Sequence, residues 1–351
     1  MIRPSLSLII ILTVSFLQMP WSFLTIPPEI RDVIIETALL SSRPAPPDIA
    51  TAALTRQTVV ETWDYRNKPF LAWDYGIRKV KFEKPGAYIL SNALPLLLTN
   101  RRLNAETRST IARLGDKVGC YKLDVMIVNE GELWPTWTCI PVLTRHVEQV
   151  NVTLRLYAGQ HLESGYSAPG DGSPPSLLWS SYFILEHFLK RGPVGTFGIG
   201  EKDKEICVKV INMAFTAGEE QQIKMLEERP LRERIERAAG MDNTRIIQPL
   251  RIAQMISRGI SELLSMYYST AEFGAILYER VGIIRVLVDG EIPTELNIAR
   301  VLAELAFYNG DTFIHLPREN RISFFWKWKR DTVKLRIRCG LPVEEGGRFE
   351  Q

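Results

Sequence analysis

Chemistry needs groups that can converge, and this 351-residue chain offers few that do so locally. Its four histidines, His146, His161, His187 and His315, include no pair one helical turn apart and none beside a cysteine, so no sequence-local metal motif is present. His187 lies among Phe183, Ile184 and Phe188, the setting of a packed histidine rather than a general base. Asp64 and Asp74 recur in Trp63-Asp64-Tyr65 and Trp73-Asp74-Tyr75; placement in turns of an aromatic hairpin accounts for them better than a carboxylate pair. Gly195-Thr196-Phe197-Gly198-Ile199-Gly200 is glycine-rich, but a phosphate cradle needs a strand before it and a helix after it. Here a helical pattern precedes and the charged run Glu201 to Glu205 follows. No nucleophile elbow and no phosphate-binding lysine motif occurs. A catalytic reading requires a constellation, so no enzyme activity, cofactor or metal is expected.

Phe324-Phe325-Trp326-Lys327-Trp328-Lys329-Arg330 interleaves rings and bases. That pattern serves nucleic-acid stacking or an amphipathic edge strand guarded by lysines. Net charge is only +3, from 43 basic and 40 acidic residues, which favours the edge strand and predicts neither a nucleic-acid nor a membrane partner. Hydrophobic residues at 46% and charged residues at 24% are ordinary globular values. Cys120, Cys139, Cys207 and Cys339 form no CxxC pair and read as scattered thiols of a reduced protein of cytoplasm or nucleus.

The N-terminus opens an alternative. Leu6 to Leu17 is a short apolar run behind Arg3, as in a secretory signal, although no small-x-small cleavage site follows. Met19 offers a second start, which would make residues 1–18 a gene-model extension. The sequon Asn151-Val152-Thr153 matters only on the secretory reading, and it lies in an expected strand.

The elements that would carry all this alternate in type. A helix is expected from Pro27, where the double proline suits a first turn and Glu29 suits its dipole, with Ile30, Val33, Ile34 and Ala38 as an apolar stripe. Three prolines between Ser41 and Asp48 end it. Val80 and Phe82 alternate as a short strand, and a helix is expected from Leu94 to Leu114, stopped by Gly115. Strands follow at Tyr121–Ile127, Val150–Leu156 and Ile206–Val210, with Trp134 to Leu143 as an aromatic connection, residues 159–176 as a loop and Leu177–Lys190 as a helix. Further on, the pattern predicts a charged helix over residues 219–239 with a break at Pro230, and a helix over Ile246–Tyr268. A strand at Ile283–Val288, a helix at Pro293–Phe307 and a terminal hairpin over Ile322–Arg338 complete the chain. The fold class is mixed α/β (α+β) with a helix-rich C-terminal half.

Phe23-Leu24-Thr25-Ile26-Pro27-Pro28-Glu29-Ile30-Arg31 resembles the opening of F-box and F-box-like proteins, above all a large filamentous-fungal group. Leu96-Leu97-Leu98-Thr99-Asn100-Arg101-Arg102-Leu103-Asn104-Ala105-Glu106-Thr107 resembles that group's second characteristic segment, and the strands Leu123–Val128 and Val147–Tyr157 follow where the group has them. On this resemblance the chain divides into an apolar segment 1–18, an F-box-like region 19–114 with an insertion at 41–91, an α/β body 115–342 and a tail 343–351. The resemblance implies an adaptor whose Ile26, Pro27, Glu29, Ile30, Val33 and Ile34 dock the linker subunit of a cullin-based ubiquitin ligase, while the body recruits a protein substrate. An F-box packs its helices within one short stretch, whereas here residues 41–91 intervene. Three readings therefore stand: the chain is an adaptor whose stripe docks the linker subunit, a fungal scaffold that keeps a degenerate F-box-like shape without ligase docking, or a secreted or endoplasmic-reticulum protein of another type. The stripe itself either docks a partner or faces the chain's own core.

Overall fold

The computed structural model describes residues 23–58, 79–84, 86, 90–128, 132–157, 176–193, 203–216, 249–266, 271–288, 290–307 and 318–344. The expected features at 1–18, Trp63–Tyr65, Trp73–Tyr75, 159–175, 195–200 and 219–239, with His161 and His315, lie outside them.

The body is a six-stranded mixed sheet in the order β4-β3-β5-β6-β7-β8. Strands β3 (Cys120–Val128), β5 (His146–Tyr157), β6 (Cys207–Thr216) and β7 (Val281–Val288) run parallel. Antiparallel edges β4 (Glu132–Cys139) and β8 (Glu291–Asn297) flank them. Helix α5 (Ser176–Arg191) joins β5 to β6, and α6 (Pro249–Leu264) with α7 (Ala271–Arg280) lies between β6 and β7. Each crossover steps one strand in the same direction, so crossovers of one hand put their helices on one face. Leu123, Val152, Leu154, Ile211, Phe215 and Val286 point into that layer and form one core with Phe183, Leu189, Ile256 and Leu277.

The other face mixes polar and apolar groups. Asn151 in β5 accepts hydrogen bonds from Gln149 Nε2 (2.6 Å) and from Asn212 Nδ2 of β6 (2.9 Å), so the sequon asparagine is a half-buried strand residue. At the β4 end this face is covered by residues 41–58, which include α2 (Ile49–Ala53) and β1 (Arg56–Thr58). Ile49 and Ala52 pack on Met126, Val128, Trp134 and Tyr157. Arg155 grips Asp124 with two bonds of 2.7 Å and donates to the Pro46 carbonyl at 2.8 Å. Strand β2 (Lys81–Glu83) pairs with β1, and Val80, just before it, bridges to Leu133 of β4.

Three expectations are corrected. Residues 134–139 belong to edge strand β4, not to a connection: Pro135 is tolerated because an edge strand has fewer ladder partners to lose. Residues 291–297 form β8, so the helix expected from Pro293 shrinks to α8 (Ile298–Glu304), which starts where Asn297 Oδ1 accepts the Arg300 N–H. The terminal hairpin is instead one helix, α9 (Arg318–Arg338). Its buried positions, Lys329, Thr332 and Arg336, are spaced for a helix but are polar, because Lys329 donates to the Ala303 and Leu305 carbonyls and Arg336 to those of Tyr278, Val281 and Pro342. The aromatic–basic segment 324–330 is thus helical and guards no sheet edge.

The helix expected over Leu94–Leu114 is two helices, α3 (Ala93–Thr99) and α4 (Arg101–Leu114). Asn100 divides them by capping α4, accepting the Leu103 N–H at 2.9 Å. Gly115 ends α4 at φ +54°, a conformation costly for other residues. The thiols are not all scattered: Cys120 and Cys139 are free, while Cys207 and Cys339 form a disulfide across 132 residues with their Cα atoms 6.1 Å apart. Sequence spacing cannot register such tertiary proximity. No helix among the described residues is long and apolar enough to cross a membrane.

Candidate partner-binding face

Helix α1 (Pro28–Leu40) has two faces of different character. Arg31, Ile35 and Leu39, four residues apart, are buried. Ile35 and Leu39 pack with Ala93 of α3 and Leu103 and Leu114 of α4 in a small separate core. The other face exposes Ile30 (52%), Val33 (61%) and Ile34 (41%). Pro27 and Glu29 beside them are exposed and Ile26 is half-buried. The alternative in which the Ile30–Val33–Ile34 stripe faces the chain's own core is therefore corrected. Ile35 and Leu39 fill that role, and the stripe is left without a cover among the described residues.

The start of α1 is fixed by Pro27, whose carbonyl accepts the N–H groups of Ile30 and Arg31 at 3.1 Å each. Pro28 loses nothing at the first helical position, where its missing donor would have no intrahelical partner. What orients the helix is charge. Arg31 Nε and Nη2 donate to the two carboxylate oxygens of Glu106 at 2.9 and 2.6 Å, and Nη1 donates to the Leu24 and Ile26 carbonyls. This bidentate pair joins the two segments that carry the F-box resemblance, one residue from each. The bond from Arg31 holds the Glu106 carboxyl below its ordinary range, and Glu106 in turn raises the guanidinium. One turn on, Thr110 Oγ1 donates to Asp32 Oδ1 at 2.5 Å, which lowers the Asp32 carboxyl, and Arg113 bridges Asp32 (2.8 Å) and Glu36 (2.9 Å).

The insertion leaves this packing intact because its ends are clasped. Asn92 Nδ2 donates to the Leu39 carbonyl at 2.8 Å and the Ser41 carbonyl at 2.9 Å, closing the chain where residues 41–91 depart and return. The inserted residues are held by the body: Arg43 N–H donates to the Thr138 carbonyl and Arg43 pairs with Glu83. Leu98 of α3 is 75% exposed beside a surface hollow formed with Leu97, Asn100, Arg101 and Asn104.

Elsewhere the described residues assemble no group of three or more His, Cys, Asp or Glu side chains able to hold a metal. His187 is buried against the Phe82 and Phe183 rings, and burial pushes its pKa down to about 3, so it is a neutral imidazole in the core. His146 begins β5 and is exposed. Between the sheet and α5–α6 lies a cavity of about 70 Å³ lined by Leu123, Val152, Tyr182, Phe188, Ile256 and other apolar groups. An apolar cavity needs about 150 Å³ to admit a benzene-sized molecule, so this one is a packing void.

Exposure of the apolar stripe was not readable from helical periodicity, since α1 carries apolar residues on both sides. The available signal was the complementarity of Arg31 and Glu106, which fixes which side turns inward. No family model matches this chain, and neither does any curated protein or solved structure.

Proposed function

We propose that this chain is a non-enzymatic protein-interaction protein, an F-box-like adaptor that docks the linker subunit of a cullin-based ubiquitin ligase through α1 and recruits a protein substrate through its α/β body. The observation that carries the reading is the uncovered stripe Ile30, Val33 and Ile34 on a helix whose opposite face is pinned by Arg31, Ile35 and Leu39. A helix laying an apolar face into a partner's groove uses contacts at this spacing. Cytoplasm or nucleus is the compartment this reading requires.

The test is retention of the purified linker subunit by the immobilised full-length chain. Retention is expected, with a loss of at least about tenfold for the double variant Ile30→Asp, Val33→Asp, while circular dichroism and melting temperature stay unchanged because both side chains are exposed. A wild-type chain that retains no linker subunit, or a double variant that retains it fully, removes ligase docking and leaves the scaffold.

One observation favours a second reading. The Cys207–Cys339 disulfide is a bond of oxidising compartments, which together with the apolar run Leu6–Leu17 supports a secreted or endoplasmic-reticulum protein. Translation from Met1 in the presence of microsomes separates the two: a shortened, protease-protected product sinks the adaptor, and a full-length, unprotected chain sinks the secretory protein.

A further inference from the structure

We infer that Cys207 and Cys339 constitute a redox modification site, a dithiol latch that glutathione-class disulfides close and reduced glutathione opens, fastening the C-terminal helix to the central sheet. The inference does not rest on the adaptor reading. Both cysteines are also positioned by backbone hydrogen bonds of their own elements. Cys207 is the first residue of β6: its N–H donates to the Arg145 carbonyl at 2.8 Å and it stands opposite His146 in the parallel ladder. Cys339 directly follows α9. Its N–H donates to Leu335, the next two N–H groups donate to Ile337 and Arg336, and Gly340 at φ +66° turns the chain so that Leu341 is buried. The resulting Cα separation of 6.1 Å lies within the span a disulfide bridges without backbone movement.

The helix end also has polar anchors that survive loss of the bond. Buried Arg336 donates to the carbonyls of Tyr278 and Val281 at the α7–β7 junction and to Pro342. Trp328 Nε1 donates to Glu279 at 3.1 Å, and Lys329 holds the end of α8. Reduction therefore leaves the two thiols as neighbours, so the bond can reform.

Accessibility orders the steps, since Cys339 is half-buried and Cys207 is buried at 2% exposure. The Cys339 thiol loses its proton, and its thiolate attacks one sulfur of glutathione disulfide, expelling a glutathione thiolate. The Cys207 thiol then loses its proton and attacks the Cys339 sulfur of the mixed disulfide, expelling the second glutathione thiolate. The two protons end on the two glutathione thiolates, and the two electrons leave the protein for glutathione. Reduction runs these steps in reverse.

The test equilibrates the full-length chain in buffers of reduced and oxidised glutathione, traps thiols with iodoacetamide and maps peptides by mass spectrometry, with amide hydrogen exchange in parallel. A linked Cys207–Cys339 peptide is expected in oxidised glutathione and its loss in millimolar reduced glutathione. Exchange in α9 should be roughly tenfold slower in the oxidised chain. Cys339→Ser abolishes the response and Cys120→Ser leaves it unchanged. Failure of the pair to link overturns the site. Persistence of the bond in millimolar reduced glutathione overturns the latch and makes it a permanent structural disulfide, and unchanged exchange in α9 overturns its fastening role. None of these results bears on linker retention by α1, which separates this failure from that of the adaptor.

Discussion

The helical head of α1, α3 and α4 and the α/β body are held together differently. The body buries a continuous apolar core that takes one face of the sheet, both faces of β3 in part, and helices α5 to α8. Among the described residues the head's core has five buried apolar residues, Ile35, Leu39, Ala93, Leu103 and Leu114, with Leu96, Leu97 and Ile111 half-buried around them. Around it the helices are tied by Arg31–Glu106, the Asp32–Thr110–Arg113–Glu36 chain and the Asn92 clasp. A core that small leaves apolar residues over, and on α1 these are the exposed Ile30, Val33 and Ile34. The body also exposes single apolar side chains, such as Ile292, Phe324 and Ile337, but on α1 three fall together on one helix face.

The largest expected effect comes from cutting the body's core. Phe215, in the middle of that core at 0% exposure, should cost about 3–5 kcal/mol on Phe215→Ala, read by chemical denaturation. Linker retention at a temperature where the chain stays folded should be untouched; its loss would mean that head and body are not separable in the way their packing suggests.

Acid sharpens the contrast further, because the two regions respond in different windows. His187 in the body has a folded pKa depressed to about 3 from 6.5, through burial and, less, Arg191 and Lys204. The unfolded chain thus binds the extra proton first, and body stability falls as pH drops below 6.5. The loss is about 2 kcal/mol between pH 6.5 and 4.5, and His187→Leu should flatten that slope whatever it does to absolute stability. In the head, Glu106 and Asp32 have folded pKa values below their ordinary 4.5 and 3.8. Their contribution is fully present above those values and is lost only as pH falls through the lowered ones. Acid melts followed by hydrogen exchange should show the body loosening first; a head that loosens first would reverse the comparison.

How much of this was legible follows the same division. Central strands announced themselves by alternation, as in Tyr121, Leu123, Val125 and Ile127, which share the face that enters the main core. Edge strands did not: Pro135 lay in what read as a connection and Pro293 at what read as a helix start, yet edge strands tolerate proline. Helix α7 gave no clear pattern, and its Gly274 is explained only in three dimensions, since a Cβ there would sit 2.1 Å from the Leu263 carbonyl of α6. Helix α9 misled because rings and bases alternate over Phe324–Arg330 while the side chains that enter the protein are cations satisfied by carbonyl groups. At the candidate face the six residues were identifiable as apolar or helix-starting, but their exposure was a property of the partner helix α4.

Within the head, Asn92→Ala removes both bonds that close the insertion and leaves the Leu39 and Ser41 carbonyls without that donor. A loss of about 1–2 kcal/mol is expected, with hydrogen exchange rising in α1 and α3 and unchanged in β5 and β6. A change spread evenly over the molecule would show that the clasp serves the body as much as the head.

The smallest expected stability effect is the most informative. Val33→Ala trims a side chain that is 61% exposed, so unfolding free energy should shift by no more than about 0.5 kcal/mol. Leu39→Ala, two turns away on the buried face at 0% exposure, should cost about 2–5 kcal/mol. The two substitutions shorten apolar side chains of one helix, so their difference isolates the face each occupies. A helix whose outer face exists for a partner should show the inverse order in linker retention when measured well below the melting transition, with Val33→Ala weakening it and Leu39→Ala leaving it intact. If Val33→Ala instead destabilises the chain as much as Leu39→Ala, the stripe is packed in solution and the head has no free apolar face to offer.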